Sequence, residues 1–348
     1  MSVHPGRIPL FIAATATELG TPTLVSDAVE AGRYDPDAAA DDEMISICEA
    51  HPDVQALDMA VRCATEVTEH AGLREADLAV LLHASVAYQG LDLASPASFI
   101  QRRVVPNSRG TAINISQASN GAMAAIDIAA NFLRNSENED AWALVTTSDT
   151  FRGPEYDRFA TDAGIILADG ATAIIICRTR TNLELKSIVV QSDPSHEAFW
   201  TGNRPLAYYP GHSAWPINIT ERKNDYLQQG NDLFAVIRDV DAAGQTVVEQ
   251  SLSKAALRTE DIRWFLYPNV GATLFDWEAM ASDGILKEKT TWEWGRRVGH
   301  LGAGDQIASI DYLLRAGKLR SGDRVIVSGT GGGWSFSAGV IEYTEVPL

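Results

Sequence analysis

The sequence predicts a duplicated α/β fold, with two similar lobes that each alternate strands and helices. Three observations carry that reading. The stretch TAINISQASNGAMAAIDIAANFLR, Thr111 to Arg134, reads as an apolar strand, a turn of small residues and a long helix. Its plan recurs: GAMAAIDIAANFLRNSENEDAWALVTTSD (Gly121 to Asp149) and AGDQIASIDYLLRAGKLRSGDRVIVSGT (Ala303 to Thr330) are each a small-residue turn, an Ile-Asp helix ending near Leu-Arg, a polar connector and a β-rich strand. A second pair, AGLREADLAVLLHAS and AALRTEDIRWFLYPN, shares a helix ending, a connector with an acidic residue and a buried strand. Asp127 and Asp311 lie 184 positions apart, and Ala60 and Ala242 lie 182 apart. Two independent segments agree on the offset, so the chain is read as a duplication with halves at 1–180 and 181–348.

Taken in order, residues 8–16 (IPLFIAATA) form a first strand, and the acidic run Asp35 to Glu43 is a solvated loop or helix start. A helix from Asp58 turns Val61, Ala64, Val67 and Ala71 to one face and leads into the strand of LAVLLHA. After the opening stretch and its strand, residues 191–231 break the pattern. SHEAFWTGNRPLAYYPGHSAWP is rich in aromatics, Pro, Gly and His without periodicity, which marks a lid, a binding loop or an oligomer contact. Alternating strands and helices predict mostly parallel sheets, with both small-residue turns at the carboxyl ends of strands, where ligands gather in α/β folds.

Composition narrows the partners. With 46 acidic against 28 basic residues the formal net charge is -18, which argues against nucleic acid or an anionic membrane. No apolar run approaches a membrane span, and the N-terminus lacks the pattern of a signal peptide. Cys48, Cys63 and Cys177 are far apart and show no metal spacing, which fits a reducing cytoplasm and core-filling roles. No metal and no bound cofactor are expected. No GxGxxG opens a helix after a strand, so dinucleotide binding is not expected either.

Ser119 stands where strand hands over to helix. Unpaired N–H groups and the positive end of the helix dipole stabilise an oxyanion there. Its hydroxyl has two readings, an N-cap or a nucleophile.

The segment NISQASNGAMAAIDIA resembles the nucleophile segment of the ketoacyl synthase III type of thiolase-fold condensing enzymes, with Ser119 in the place of their Cys. LADGATAIII (167–176) resembles the family's Asp-Gly-Ala strand entry, and GTGGGWSFSAGVIEY (329–343) its terminal glycine-rich strand pair. The resemblance implies a thiolase-like duplicated αβαβα five-layer fold and selects the nucleophile reading for Ser119. Two departures stand out. The family's Pro-His-x-x-Asn context is Pro268-Asn269-Val270-Gly271-Ala272 here, and Asn269 cannot act as a base. The family's catalytic Asn maps to Gly304 and Asp305, where an Asp is similar to the branch that transfers acyl groups. Ser, Asn and Asp in place of Cys, His and Asn resembles the starter-unit proteins of aromatic polyketide pathways of the anthracycline type.

That resemblance implies a short acyl-CoA as substrate, propionyl-CoA in particular. Its acyl group would be loaded on Ser119 and passed to an acyl carrier protein thiol or a malonyl-carrier protein in the cytoplasm, by a homodimer or with a partner ketosynthase or chain-length factor. Serine needs an adjacent base. His196, at the edge of the aromatic insertion, is preferred over His300, and His212 comes last; His4, His51, His70 and His83 are read as structural or surface. Asp305 either orients the base or offsets the helix dipole. The N–H of Ser119 and of a glycine among Gly331, Gly332 and Gly333 would form an oxyanion hole, and Asn269 a thioester contact. Competing expectations are esterification of a hydroxyl acceptor and a non-catalytic partner resembling a chain-length factor.

Overall fold

The computed structural model describes residues 8–208 and 215–345. His4, His212 and Tyr209 of the aromatic run lie outside them. Eleven strands are described: β1 (Phe11–Leu19), β2 (Thr21–Leu24), β3 (Ser46–Glu49), β4 (Leu78–Ala84), β5 (Thr111–Ile115), β6 (Trp142–Asp149), β7 (Gly170–Cys177), β8 (Leu183–Ser192), β9 (Trp264–Leu266), β10 (Arg324–Gly331) and β11 (Ser335–Tyr343). Nine run side by side in the order β5-β4-β6-β7-β1-β8-β11-β10-β9, while β2 and β3 pair separately.

The duplication is visible in that order. From the middle outward, β1-β7-β6-β4 matches β8-β11-β10-β9 strand for strand. The seam is narrow: β1 meets β8 only at Phe11 with Glu184 and Ile12 with Leu183. On each side the three strands nearest the seam pair antiparallel, and the pair beyond them is parallel, β4 with β6 and β9 with β10. The outermost pairing of the first half, β4 with β5, shrinks in the second to a single parallel bridge between Phe265 and Thr290.

The expectation of mostly parallel sheets is therefore corrected to mixed sheets. β6 reaches β7 through an excursion without a helical crossover, and β10 reaches β11 through the short Gly332–Trp334 turn, so both pairs are antiparallel.

Side-chain alternation along each strand sorts the core into layers. Val80 and Leu82 of β4, Ile174 and Ile176 of β7, and Val325 and Val327 of β10 face one central core. The helix Gly121–Asn135 and the helix Asp305–Arg315 lie in that core with Met123, Ile126, Leu133, Ile307 and Ile310. Leu81, Ala173 and Ile175 face the other way, onto the helices Ala56–Ala71 and Pro96–Val104. Ile326, Phe265 and Val340 face outward onto the helix Leu233–Ala255. Helix, sheet, paired helices, sheet, helix: the five layers are those of the thiolase-like fold.

The helix Gly121–Asn135 is poor in polar residues because it is covered on both sides, which hydrophobic burial rewards at roughly 25 cal/mol per Å² of apolar surface, whereas the helix Asp305–Arg315 also buries Asp305, Gln306, Ser309 and Asp311. The three cysteines are buried and unpaired, and burial pushes their thiols up. No helix among the described residues is long and apolar enough to cross a membrane.

The two central helices start close together. A Cβ on Gly121 would stand 2.9 Å from the Ala84 Cβ at the end of β4 and 3.2 Å from the Ala303 Cβ just before the second helix. Gly121→Ala should therefore overpack this point. The expected cost is about 1–3 kcal/mol, read from urea denaturation, and an unchanged midpoint would contradict the close approach.

Candidate active site

Each helix start rests on strands of the other half. A single 3₁₀ turn, Ala118–Asn120, leads from β5 into the helix Gly121–Asn135, and Ala118 takes a left-handed φ of 45° just before Ser119. A non-glycine residue in that region carries strain. Asn120 fastens the turn to the second half: fully buried, its amide donates to Ser335 Oγ at 3.2 Å and its oxygen accepts from Ser337 Oγ at 2.5 Å. Gly331 at the end of β10 makes room, since a Cβ there would stand 2.6 Å from the Gln117 carbonyl oxygen and 2.9 Å from the Asn120 Cβ. The second helix start is seated the other way round, Gly304 lying against Thr147 of β6 and Thr172 of β7.

This crossed seating brings Ser119 to His300. Ser119 Oγ lies 2.7 Å from His300 Nε2, and His300 Nδ1 lies 2.5 Å from Asp305 Oδ2. Carboxylate oxygens only accept, so the imidazole proton sits on Nδ1 and the Nε2 lone pair faces the serine hydroxyl. Asp305, fully buried, also accepts from the Leu301 N–H at 2.8 Å, the Asn269 N–H at 2.9 Å and the Asn269 side-chain amide at 3.3 Å. Four donors fix the carboxylate, and the carboxylate fixes the ring.

Several expectations change. Ser119 does not cap its helix: the cap position is Asn120, with no side-chain cap bond, and the serine hydroxyl is spent on the imidazole. The ranking that put His196 ahead of His300 is corrected. His196 Nε2 pairs with Asp239 Oδ2 at 3.0 Å, while the hydroxyl partner of Ser119 is His300. The insertion is anchored to the Gly332–Trp334 turn, with Trp334 Nε1 donating to the His196 carbonyl. His51 is exposed. His83 is buried between Thr146 at 2.9 Å and Gln89 at 3.2 Å, and burial lowers it to about 4, a neutral imidazole in a polar core cluster.

Asn269 faces Asp305 with its amide and packs its oxygen against Gly295, where a Cβ would come within 2.4 Å. It braces the carboxylate. Of the three glycines, Gly331 touches the Ser119 turn, Gly332 lies flat under the Trp200 ring, where a Cβ would stand 2.2 Å from Cε2, and Gly333 has a φ of 118°. Trp200 belongs to an aromatic cluster with Phe199, Trp334 and Phe336. Lys223 lies over its ring and pairs with buried Asp162 at 2.6 and 2.8 Å, which docks the insertion on the β6–β7 excursion.

The imidazole feels opposing forces. Burial disfavours its cation, but the charge and hydrogen bond of Asp305, then the charges of Asp149 and Asp162, outweigh burial and raise its pKa. Asn120, Asp149 and Asp162 were not singled out from the sequence. The signal for Asp149 was available: a carboxylate closing the otherwise uncharged strand WALVTTSD. Among the described residues no group of three or more His, Cys, Asp or Glu is arranged to hold a metal.

Residues 252–343 match the family model for the C-terminal part of 3-oxoacyl-[acyl-carrier-protein] synthase III. The beta-ketoacyl-[acyl-carrier-protein] synthase III of a Synechocystis species is 25% identical over 301 residues, covering 85% of this chain and 86% of the relative. The solved structure of ChlB3, described as an acyltransferase, is 32% identical with a TM-score of 0.90, covering 97% of this chain and 98% of its own. The chain belongs to the ketoacyl synthase III-like family. The 3-oxoacyl-[acyl-carrier-protein] synthase III of Aquifex aeolicus has the same fold, with a TM-score of 0.72 at 19% identity over 96% of this chain and all of its own. Within this ketoacyl synthase III-like frame, the serine–histidine contact crosses between the halves.

One consequence is measurable on the protein alone. The His300 imidazole should titrate above its ordinary 6.5, and Asp305→Asn should lower its midpoint. Nitrogen-15 NMR of labelled histidine reads both, and an unmoved midpoint would show that Asp305 does not set the ring's basicity.

Proposed function

We propose that the protein is a serine-dependent acyltransferase that accepts a short acyl group from acyl-CoA onto Ser119 and passes it to an acyl carrier protein. The observation that carries this reading is the Ser119–His300–Asp305 relay, a half-buried nucleophile in hydrogen-bond contact with a buried base and carboxylate. His300 Nε2 takes the proton as Ser119 Oγ attacks the thioester carbonyl. The same proton goes to the departing CoA sulfur as the carbon–sulfur bond breaks, leaving an ester on Ser119. In the second half an acceptor thiol gives its proton to His300 and attacks that ester, and Ser119 recovers its proton. The Ser119 N–H and an N–H from Gly331 to Gly333 are the proposed donors to the oxyanion in both halves. Asn269 serves the thioester only through Asp305, because its side-chain amide is turned to that carboxylate.

The finer assignment is a starter-unit protein of aromatic polyketide biosynthesis, of the anthracycline type represented by DpsC, with propionyl-CoA as donor, acting in the cytoplasm as a homodimer without a bound cofactor. The Ser, Asn and Asp at positions 119, 269 and 305 support it, as does the similarity to an acyltransferase. Transfer is favoured over condensation. Decarboxylating a malonyl thioester needs donors aimed at the developing enolate, and the Asn269 amide is already engaged on Asp305. The assembled relay argues against a non-catalytic partner role, since no chain-length factor needs a base on its serine. Transfer to a hydroxyl acceptor would use the same relay, and the acceptor assay separates the two.

Incubation with propionyl-CoA should add one propionyl group to Ser119, seen by peptide mass spectrometry, and Ser119→Ala should abolish it. An unlabelled Ser119 would remove the proposal. His300→Ala should slow acylation by about 10⁴-fold, on the scale of triad losses. Because the base must be neutral, the acylation rate should fall as pH drops through the raised His300 pKa. Decarboxylation of malonyl-carrier protein should stay far slower than transfer to a carrier thiol, and comparable rates would reverse the preference for transfer.

A further inference from the structure

Asp149 is a fully buried carboxylate that the relay does not use. It closes β6, and its Oδ1 accepts the N–H groups of Val86 at 2.8 Å and Ala87 at 2.6 Å, from the loop after β4. Its Oδ2 accepts the Ala303 N–H at 3.2 Å, from the turn of the other half that runs from His300 to Asp305. In the same turn Gly302, at φ 62°, lies so close that a Cβ would stand 2.3 Å from Oδ2. The two segments it ties together are those that flank Ala84 and Ala303, the residues between which Gly121 is wedged.

We infer that Asp149 is a positioning residue of the acyl-transfer site: its carboxylate clamps the loop after β4 to the turn bearing His300, and so sets where the imidazole stands relative to Ser119. The inference rests on the proposed acyl transfer for its consequence, not for its geometry. The duplication gives it a physical reason. The end of β10, where Gly331 lies, receives the Ser119 turn by close backbone packing, with Asn120 fastened to the serines of β11. The end of β6 receives the His300 turn, and there a carboxylate accepts hydrogen bonds instead. Only an acceptor at this place can satisfy three converging N–H groups.

The clamp is also an electrostatic neighbour. The charged groups acting on His300 are Asp305 at the start of its helix, Asp149 on β6 and Asp162 on the excursion after β6; Asp162 is paired with Lys223, and Tyr156 faces Asp149. Burial raises Asp149 to about 7, against its three backbone bonds and the attraction of His300. Removing its charge removes one of the influences that raise the imidazole.

The test uses the full chain and a fluorophosphonate probe that reacts with base-activated serine. Phosphonylation of Ser119 is followed by intact mass across pH, the His300 imidazole by NMR, and the fold by circular dichroism. Asp149→Asn should keep the native spectrum, slow phosphonylation by about 100-fold, as expected for a misplacement near 1 Å, and move both the acid limb and the His300 midpoint to lower pH. Gly302→Ala keeps the charge but pushes a methyl at Oδ2; it should give a comparable loss with the midpoint in place.

Asp149→Asn reacting at the native rate would overturn the inference, as would a rate loss with an unmoved His300 midpoint. Should Asp149→Asn fail to fold, Gly302→Ala decides, and a native rate there overturns it. If the native protein is phosphonylated slowly at every pH, the proposed function falls. The clamp is then judged by the His300 midpoint in Asp149→Asn, and an unmoved value overturns that separately.

Discussion

The close approach of the two central helix starts is the constraint on which the site depends. Gly121 has no side chain because Ala84 and Ala303 leave no room for one. Any larger residue there would push the helix of the first half away from the turn of the second, and Ser119 and His300 sit on those two pieces. A 2.7 Å contact between residues 181 positions apart survives only if both backbones are held from several directions. The holding groups are polar and specific: Asn120 on Ser335 and Ser337, Asp305 on Asn269 and Leu301, Asp149 on Val86, Ala87 and Ala303. Apolar packing between the layers stabilises the fold, but it is non-directional. Buried hydrogen bonds supply the direction, because each is costly to leave unmade.

A second theme is how the substitutions at the site compensate for one another. Asn at position 269, where the sequence resemblance implies a histidine, puts an amide on Asp305. Asp at position 305 then has a partner for each oxygen and still reaches His300 Nδ1. His300 itself comes from a turn that the family motif does not single out. The contacts at the site are therefore a relay of serine, imidazole and carboxylate, with the amide of position 269 on the carboxylate.

Much of this was legible in the sequence, for reasons that can be named. The duplication was readable because both central helices are buried on two sides and so repeat their apolar spacing, and because the Ile-Asp pairs at 127 and 311 keep their offset. Ser119 was readable because a small-residue turn between strand and helix is a local pattern. The partner of Ser119 was not. His196 and His300 are equally plain histidines in one dimension, and only the crossed seating decides which of them meets the hydroxyl. The mixed sheet direction was missed for a similar reason. The β6–β7 excursion has the length of a crossover without a helix in it, and strand sense depends on where the chain returns. Asn120 and Asp149 were passed over because each has partners more than a hundred residues away, in the other half of the molecule.

The exchange of a thiol for a hydroxyl explains why so many acids surround one histidine. A thiol ionises readily and can attack with modest help, whereas a serine hydroxyl holds its proton far more tightly and requires general-base assistance during attack. Burial alone would leave His300 a weak base, since it lowers the imidazole pKa. Asp305 offsets that burial through direct contact, and Asp149 and Asp162 add charge from two further elements. In the proposed acyl transfer these three carboxylates would also stabilise the imidazolium formed while the oxyanion develops, with the largest effect where charge separation is greatest. A serine at position 119 is thus compatible with acyl transfer only in a site built around the basicity of position 300. The acids that raise that basicity are the same ones whose hydrogen bonds hold the turn, the carboxylate brace and the aromatic insertion in place, which makes geometry and proton affinity at this site a single property.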